Sequence, residues 1–223
     1  MARFNDAEIV ASWSRNAQPW TKAIREKTIP SRERVTNQAI VDAVLETSPK
    51  SIIDIGCGEG WLCRALAAMS VYTIGVDAIP ELIEQARAAH AGDYQVISYE
   101  EIASGALGAT ADAAICNFSL LGESATLNVL AEISSGAVAT TLIIQTLHPV
   151  VACGNRPYVD GWREGSWKGF SSDFRDPAPW FFRTIEGWLR LLAETGWQLI
   201  ELREPIDPET LRPASIIFIA RKR

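Results

Sequence analysis

The chain alternates short runs of β-branched and apolar residues with segments of helical character, and this alternation restricts the fold more than any other feature. The runs lie at 51–55, 71–76, 94–98, 111–116 and 138–146. Strands that alternate with helices usually pair in parallel, because each helix carries the chain back across the sheet. The pattern therefore predicts a parallel sheet covered by helices.

Helix-capping residues and apolar spacing predict where the helices lie. The predicted helices cover about 34–46, 80–90, 123–134 and 184–195. Ser124 and Thr184 are of the type that caps a helix N-terminus. Two further strand-like runs, 197–203 and 215–220, are joined by a loop too short for another crossover helix, so we expect the final strand to be antiparallel.

Composition excludes several classes of protein. The 223 residues, 48% of them hydrophobic, can bury a sizeable core. With 27 acidic and 21 basic residues the net charge is −6, so the broad positive surface that nucleic acids require is not expected. No apolar run approaches the ~20 residues of a membrane span or forms the core of a signal peptide, which predicts a cytoplasmic protein. The cysteines lack the spacing of a zinc site, and no metal is expected.

The first strand runs directly into three alternate glycines, Gly56, Gly58 and Gly60. Glycine at the carboxyl end of a strand permits a positive φ and lets a ligand approach the backbone closely. A dinucleotide fingerprint would require its last glycine at position 61, where tryptophan stands, so NAD is disfavoured. Asp77 ends the second strand and can accept both hydroxyl protons of a ribose. A nucleoside cofactor other than NAD is therefore predicted.

These residues resemble the motifs of the class I S-adenosylmethionine-dependent methyltransferases. The family's acidic residue and three alternate glycines are matched at Asp54, Gly56, Gly58 and Gly60, and Asp77 matches its acidic end of the second strand. The resemblance covers 34–146, and the tail is similar to the small-molecule branch that includes ubiquinone-biosynthesis-like O-methyltransferases. It implies a Rossmann-like α/β fold: a doubly wound seven-stranded sheet, mostly parallel with the last strand antiparallel, and helices on both faces.

The resemblance also implies S-adenosylmethionine as cofactor and S-adenosylhomocysteine (SAH) as product. Asp54 and the backbone of 56–60, including Cys57, would hold the methionine part, and Asp77 the ribose. Arg32 would pair with the cofactor carboxylate, or alternatively be an exposed helix arginine. The further contacts implied are Ala78 and Ile79 beside the adenine, Ser98, Tyr99 and Glu100 where the family commonly has an aspartate for the adenine amine, and Asn117 and Phe118 near the sulfur.

We interpret residues 1–223 as a single domain with four parts. They are an N-terminal helical cap (1–33), a cofactor-binding core (34–146), an acceptor-lid insertion (147–183) and the last helix with the C-terminal strands (184–223). The insertion holds eight aromatic residues. Tyr158, Trp162 and Trp167, together with Phe170 and Trp180, offer apolar walls for a small acceptor that is aromatic or partly apolar.

His148 follows the fifth strand and is the predicted catalytic base or acceptor-orienting group, because a histidine titrates near neutral pH. Oxygen is the favoured acceptor atom, and an amine nitrogen remains an alternative. A protein or RNA methyltransferase is disfavoured by the acidic charge balance. A non-catalytic module that only binds the cofactor or a protein partner also stays open, because fold does not fix function. The sequence does not indicate an oligomeric state.

Overall fold

The computed structural model of the protein describes residues 4–223 and is built around a seven-stranded sheet with two small two-stranded sheets. The strands are β1 (Ser51–Ile55), β2 (Tyr72–Asp77), β3 (Asp93–Val96), β4 (Ala111–Asn117), β5 (Ala139–Thr146), β6 (Gly161–Arg163), β7 (Trp180–Phe182), β8 (Trp197–Arg203), β9 (Ile206–Asp207), β10 (Arg212–Pro213) and β11 (Ile216–Lys222). The helices are α1 (Asp6–Arg25), α2 (Asn37–Glu46), α3 (Trp61–Ala67), α4 (Pro80–Ala88), α5 (Tyr99–Ala103), α6 (Ser124–Ser135), α7 (Pro149–Cys153) and α8 (Ile185–Glu194), and a π-helical turn covers Arg32–Thr36.

The strands of the main sheet are ordered β3-β2-β1-β4-β5-β11-β8. Strands β1 to β5 pair in parallel, whereas β11 is antiparallel to both of its neighbours, β5 and β8. The predicted Rossmann-like sheet, mostly parallel with an antiparallel last strand, is therefore confirmed, and its strands lie within a few residues of their predicted bounds.

Alternation of side chains along the central strands produces two apolar layers. Ile53 and Ile55 of β1 pack on the face covered by α6 and α8, whereas Ile52 packs on the face covered by α2 and α3. Successive side chains of a strand point to opposite faces, so a strand with consecutive buried apolar residues has to be covered on both faces. The predicted helices on both faces of the sheet are confirmed.

Helix α1 is held to the body of the protein by the start of α6. The Asp6 carboxylate accepts hydrogen bonds from the backbone N–H groups of Glu123 (3.0 Å) and Ala125 (2.9 Å) and from the Ser124 hydroxyl (2.9 Å). The prediction that Ser124 caps α6 is wrong, because the carboxylate from another helix satisfies these N–H groups instead. Thr184 does cap α8, as predicted.

The segment 147–183 folds back over α1. Asn16 of α1 donates from Nδ2 to the Arg175 carbonyl (2.7 Å) and accepts at Oδ1 from its N–H (2.9 Å), and the Ser12 hydroxyl donates to the Asp176 carbonyl. These hydrogen bonds join the predicted N-terminal cap to the predicted acceptor lid. The division of the chain into a cap, a core and a lid remains a prediction. None of the helices within residues 4–223 has both the length and the apolar character needed to cross a membrane.

Candidate active site

A cavity of about 490 Å³ lies at the carboxyl ends of the central strands and extends under α1 and the 147–183 segment. Its wall includes Gly56 after β1, Asp77 at the end of β2 and Asn117 at the end of β4. Its volume is in the range of small-molecule pockets, and crevices at this edge of an open α/β sheet are the usual place for ligands. We call the end at Gly56 and Asp77 the nucleoside end. We use the name aromatic chamber for the other wall residues Trp13, Trp167, Phe170, Trp180 and Arg183. The two regions adjoin, because Trp13 contacts Trp20, whose indole nitrogen lies near Gly58.

The glycine segment forms a tight turn that faces the cavity. Gly56, Gly58 and Gly60 have φ angles of +78°, +59° and +81°. The N–H groups of Gly56 and Cys57 donate to the Val76 carbonyl at 2.8 and 3.0 Å, which fixes the turn beside β2. Gly56 and Gly58 line the cavity together with Cys57, whereas Gly60 lies behind the wall against the ring of Tyr94.

Asp77 organises the nucleoside end. Its Oδ2 accepts from the Gly58 N–H and its Oδ1 from the Ile79 N–H, both at 2.9 Å. Each carboxylate oxygen has two lone pairs, so both oxygens keep the capacity to accept a ligand hydroxyl. Burial raises the pKa of Asp77, and the backbone N–H groups oppose that shift. Asp77 thus shapes the glycine turn and offers acceptors to a diol.

Arg32 is buried, so the alternative of an exposed helix arginine is wrong. Only 7% of the residue is exposed, and its guanidinium carbon lies 4.9 Å from the ring centroid of Trp61 and 5.5 Å from that of Trp20. Its Nη2 has no hydrogen-bond partner among the described residues. Burial lowers the pKa of Arg32 to about 10. Trp61, which stands where a dinucleotide fingerprint has its last glycine, therefore packs against a cation that forms no ion pair among the described residues, although the charges of Glu33, Glu59 and Asp54 act on it.

Asp54 is buried near the end of β1, two residues before Gly56 in the sequence, and is not among the residues that line the cavity. It is 2% exposed, and its Oδ1 has no partner among the described residues, while the Cys63 thiol approaches Oδ2 at 3.8 Å. Burial, and after it the charge of Asp77, raises the pKa of Asp54 to about 7, whereas Arg32 acts to lower it. Among the described residues, Nη2 of Arg32 and Oδ1 of Asp54 have no partner. These two atoms are complementary in charge to the carboxylate and the ammonium of an amino acid.

Most of the other predicted cofactor residues also reach the cavity. Ala78, Ile79, Tyr99, Glu100, Asn117 and Phe118 line it. Ser98 does not, and its prediction as a cofactor contact is unsupported. Its hydroxyl accepts from the Glu101 N–H at 3.2 Å and caps α5, while the Glu101 carboxylate bonds to the Ser98 N–H. Ser98 therefore caps α5 and does not form part of the cavity wall.

His148 is not on the wall of the cavity. Only 5% of it is exposed, and its Nε2 lies 2.6 Å from Oε1 of Glu204. Its Nδ1 is buried without a partner among the described residues. The ring follows β5 as predicted, but it packs toward the C-terminal strands instead of the crevice, so the geometry gives no support to its role as base.

The three predicted acceptor residues have different surroundings. Trp167 lines the aromatic chamber, as do Phe170 and Trp180. Tyr158 does not: its hydroxyl oxygen accepts from the Ile185 N–H at 2.9 Å. Trp162 donates from Nε1 to Glu123 Oε2 at 3.0 Å and borders a separate surface depression. The structure therefore does not bring Tyr158 or Trp162 to the cavity, and they hold the neighbouring backbone and side chains instead.

Residues that the sequence analysis did not assign complete the chamber. Trp13 of α1 stands edge-on to Trp20 (5.0 Å between centroids) and to Trp167 (5.7 Å). The spacing of Ile9, Trp13 and Trp20, which places apolar side chains on one face of α1, is the signal that could have found them. Arg183 also lines the chamber, and no local pattern distinguishes it from any other arginine.

Comparisons with known proteins agree with this geometry. Residues 52–136 match the family model described as a methyltransferase domain. A ubiquinone biosynthesis O-methyltransferase of Xanthomonas axonopodis pv. citri (strain 306) is 35% identical over 81 residues, which are 34% of this chain and 34% of that protein. The match thus spans about a third of the length of the curated relative.

Solved structures share the fold. An S-adenosylmethionine-dependent methyltransferase from Mesorhizobium loti superposes with a TM-score of 0.58 at 21% identity, over 77% of this chain and 90% of that chain. Magnesium protoporphyrin IX methyltransferase from Synechocystis PCC 6803, solved with bound SAH, gives a TM-score of 0.59 at 16% identity, over 83% and 81% of the two chains.

The family match begins in β1 and continues through α6, so it contains the glycine turn and Asp77. The sheet order and the antiparallel β11 are shared with the solved methyltransferases at the level of the fold. The resemblance inferred from the motifs is confirmed. Over residues 52–136 the chain is similar to the methyltransferase domain family, and its fold is shared with solved structures of S-adenosylmethionine-dependent methyltransferases.

Proposed function

We propose that the protein transfers the methyl group of S-adenosylmethionine to a small, partly apolar acceptor. The observation that carries this proposal is the continuity of one cavity, which joins the glycine turn and Asp77 to the aromatic chamber. The first part suits a nucleoside with an amino-acid tail, and the second suits a flat apolar molecule. Both are small-molecule features.

The residues fit the cofactor at its three polar groups. Asp77 keeps lone pairs for the ribose hydroxyls, and the Arg32 Nη2, which has no partner among the described residues, would pair with the carboxylate. The buried Asp54 Oδ1, likewise unpartnered among these residues, would offset the charge of the ammonium from behind the wall. When bound, the cofactor would supply an activated methyl group to the electron pair of the acceptor and would leave as SAH, and a hydroxyl acceptor would have to lose its proton at or before the transfer. Such an in-line displacement requires chiefly positioning and exclusion of water.

The chain provides both requirements. Helix α1 covers the crevice with Trp13 and Trp20, and the 147–183 segment adds Trp167 and Phe170 on the same side. Flat apolar walls orient an aromatic acceptor and keep water from the reacting atoms. We propose oxygen as the acceptor atom, with support from the similarity to a ubiquinone biosynthesis O-methyltransferase; an amine could occupy the same chamber.

A calorimetric titration tests the cofactor part of the proposal. We expect saturable one-to-one binding of SAH and no binding of NADH by the purified protein. Turnover is then measured with labelled S-adenosylmethionine and a panel of phenols, catechols and small amines. Binding of SAH without transfer to any acceptor would favour the non-catalytic alternative, and failure of folded, ligand-free protein to bind SAH would contradict the proposal.

The position of His148 predicts the behaviour of His148→Gln. Because the ring lies behind the wall and interacts with Glu204, we expect kcat/KM with an identified acceptor to stay within about threefold of the wild type. The measurement is the pH profile of kcat/KM for both proteins. A loss of about 100-fold, with the limb near neutral pH removed, is what a general base would give, and it would restore the prediction made from the sequence.

The raised pKa of Asp54 predicts that cofactor binding depends on pH. The carboxylate has to be ionised to pair with the ligand ammonium, so we expect the affinity for SAH to fall by up to about tenfold per pH unit below 7. Between pH 7 and 8 it should change little. The same shift makes the free protein lose stability as pH rises from about 4 to 7, because the unfolded chain gives up this proton more readily.

The control for this prediction is Asp54→Asn, which keeps the shape of the side chain and removes the titration. Calorimetry at pH 6, 7 and 8 should give this variant a lower affinity for SAH at pH 8 and a flat dependence below it. If Asp54→Asn keeps the pH dependence of the wild type, another group, such as Asp77, is responsible and the assignment to Asp54 is wrong.

A further inference from the structure

We propose that the methyl acceptor carries a carboxylate and that Arg183 binds it in the aromatic chamber. This inference rests on the proposed function and specifies its substrate class. Arg183 follows β7, lines the cavity and is 6% exposed. It is a charged side chain on an otherwise largely aromatic wall.

The Arg183 guanidinium is only partly satisfied within the protein. Its Nη2 donates to the Glu123 carbonyl at 2.9 Å, but Nη1 is buried with no hydrogen-bond partner among the described residues. The guanidinium carbon lies 4.8 Å from the ring centroid of Phe181 and 5.2 Å from that of Trp188. These rings hold the plane of the guanidinium, and Nη1 is the nitrogen that is left without a hydrogen bond among the described residues.

The carboxylates nearest to Arg183 are committed to other partners. Asp6 accepts from the start of α6, Glu123 accepts from Trp162 Nε1, and Asp160 accepts from the N–H and the hydroxyl of Thr184. None of them forms an ion pair with Arg183 within 4.0 Å. Their charges act to raise the pKa of Arg183, yet burial outweighs them and lowers it to about 10. The cation therefore lacks a direct anionic partner in the described chain.

The cavity is lined by two buried arginines, Arg32 and Arg183, and we expect each of them to bind an anion. Arg32, beside Trp61 and near Asp54, is placed for the cofactor carboxylate. Arg183 contacts a different pair of rings, Phe181 and Trp188, on the wall of the same cavity. In this inference the acceptor supplies the second anion.

A carboxylate suits the Arg183 position better than a neutral polar group. Taking a guanidinium out of water is costly unless it is paired, and charge-assisted bonds between arginine and carboxylate are the strong ones. The rings around it favour a flat apolar body over a sugar or another charged group. The inferred acceptor is therefore an aromatic or otherwise flat molecule that ends in a carboxylate.

Matched pairs of probes test the inference by calorimetry on the SAH-saturated protein. The pairs are 4-hydroxyphenylacetate with 4-hydroxyphenylacetamide, indole-3-acetate with indole-3-acetamide, and cinnamate with cinnamamide. The members of a pair have nearly the same shape and differ in charge. We expect at least one acid to bind about tenfold or more tightly than its amide, and Arg183→Met to bring that ratio to about one while its affinity for SAH is unchanged.

Arg190→Met is the matched control. Arg190 is an exposed arginine of α8 that pairs with Glu186, so this variant should keep both the preference for the acid and the affinity for SAH. Arg183→Lys keeps the charge and should retain part of the preference. If circular dichroism shows that Arg183→Met is not folded, the test becomes a comparison of the acid-over-amide preference between the wild type and Arg183→Lys, in which the preference should be reduced.

The possible outcomes separate this inference from the proposed function. Normal SAH binding by the wild type, with no acid preferred over its amide in any pair, would overturn the inference and leave the proposed function intact. A preference that survives in Arg183→Met would overturn it as well. Failure of the wild type to bind SAH would overturn both. A preference that is lost in Arg183→Met and kept in Arg190→Met supports the inference.

Discussion

Asp77→Ala is expected to weaken SAH binding by about 100- to 1,000-fold. Two ribose hydroxyls that donate to an ionised carboxylate contribute on the order of 3 to 4 kcal/mol together, and each ~1.4 kcal/mol corresponds to a factor of ten in affinity. The substitution also removes the acceptors of the Gly58 and Ile79 N–H groups. Since these bonds set the position of the glycine turn, the remaining contacts would be less well aligned.

Asp112→Ala separates this effect from a general loss of stability. The Asp112 carboxylate accepts hydrogen bonds from the backbone N–H groups of Lys50 (2.7 Å) and Ser51 (3.0 Å). These residues lie at the amino end of β1, whereas the cavity lies at the carboxyl ends of the strands. Both variants therefore lose two backbone bonds to an aspartate, but only one lies at the cavity. We expect Asp112→Ala to lower the melting temperature and to keep SAH affinity within about threefold. Similar losses of affinity in the two variants would contradict a direct role of Asp77.

The sheet and the nucleoside end of the cavity were predictable because their signals are local. A buried strand followed directly by glycines fixes where β1 ends, and Asp77 lies only a short distance further along the chain. Parallel pairing then brings the ends of β1 and β2 together. The antiparallel β11 followed from the short 204–214 connection in the same way, because chain length limits where a strand can return.

The aromatic chamber was less predictable, because the directions of the side chains in and around it depend on segments that are distant along the chain. Predicted acceptor residues Tyr158 and Trp162 are turned away by partners at 185 and 123. The neighbour of His148, Glu204, is 56 residues away along the chain. Arg183 has no local signature, since its burial depends on rings and helices that meet only in the folded chain. Tertiary packing, rather than local pattern, determines which of these side chains reach the cavity.

Gly56→Ala is expected to have the largest effect on the glycine turn itself. A Cβ at Gly56 would lie 2.4 Å from Cβ of Ser119 and 3.0 Å from the hydroxyl oxygens of Ser119 and Tyr99. Ser119 cannot retreat easily, because its hydroxyl donates to the Ile55 carbonyl at 2.6 Å and its own carbonyl accepts from Tyr99 at 3.1 Å. The ends of β1 and β4 would therefore be forced apart.

The expected loss of unfolding free energy in Gly56→Ala has two parts, and the same substitution at Gly105 can separate them. A left-handed residue with a side chain costs roughly 1–2 kcal/mol, and overpacking a tight contact adds roughly 1–3 kcal/mol. Gly105 has nearly the same φ, +83° against +78°, but a Cβ there would meet nothing closer than 3.7 Å. Gly105→Ala should therefore show only the first part, and Gly56→Ala both.

Denaturant unfolding and SAH titration of the two variants measure these costs. We expect Gly56→Ala to lose about 2–5 kcal/mol of unfolding free energy and about 100-fold in SAH affinity, since a shift of about 1 Å in a positioning element can cost that much. Gly105→Ala should keep the wild-type affinity. Equal losses of stability in the two variants, with SAH affinity retained, would mean that the backbone conformation alone requires glycine and that the contact with Ser119 yields. A loss of affinity confined to Gly56→Ala would mean that the close packing of β1 against β4 is what holds the turn in its binding shape.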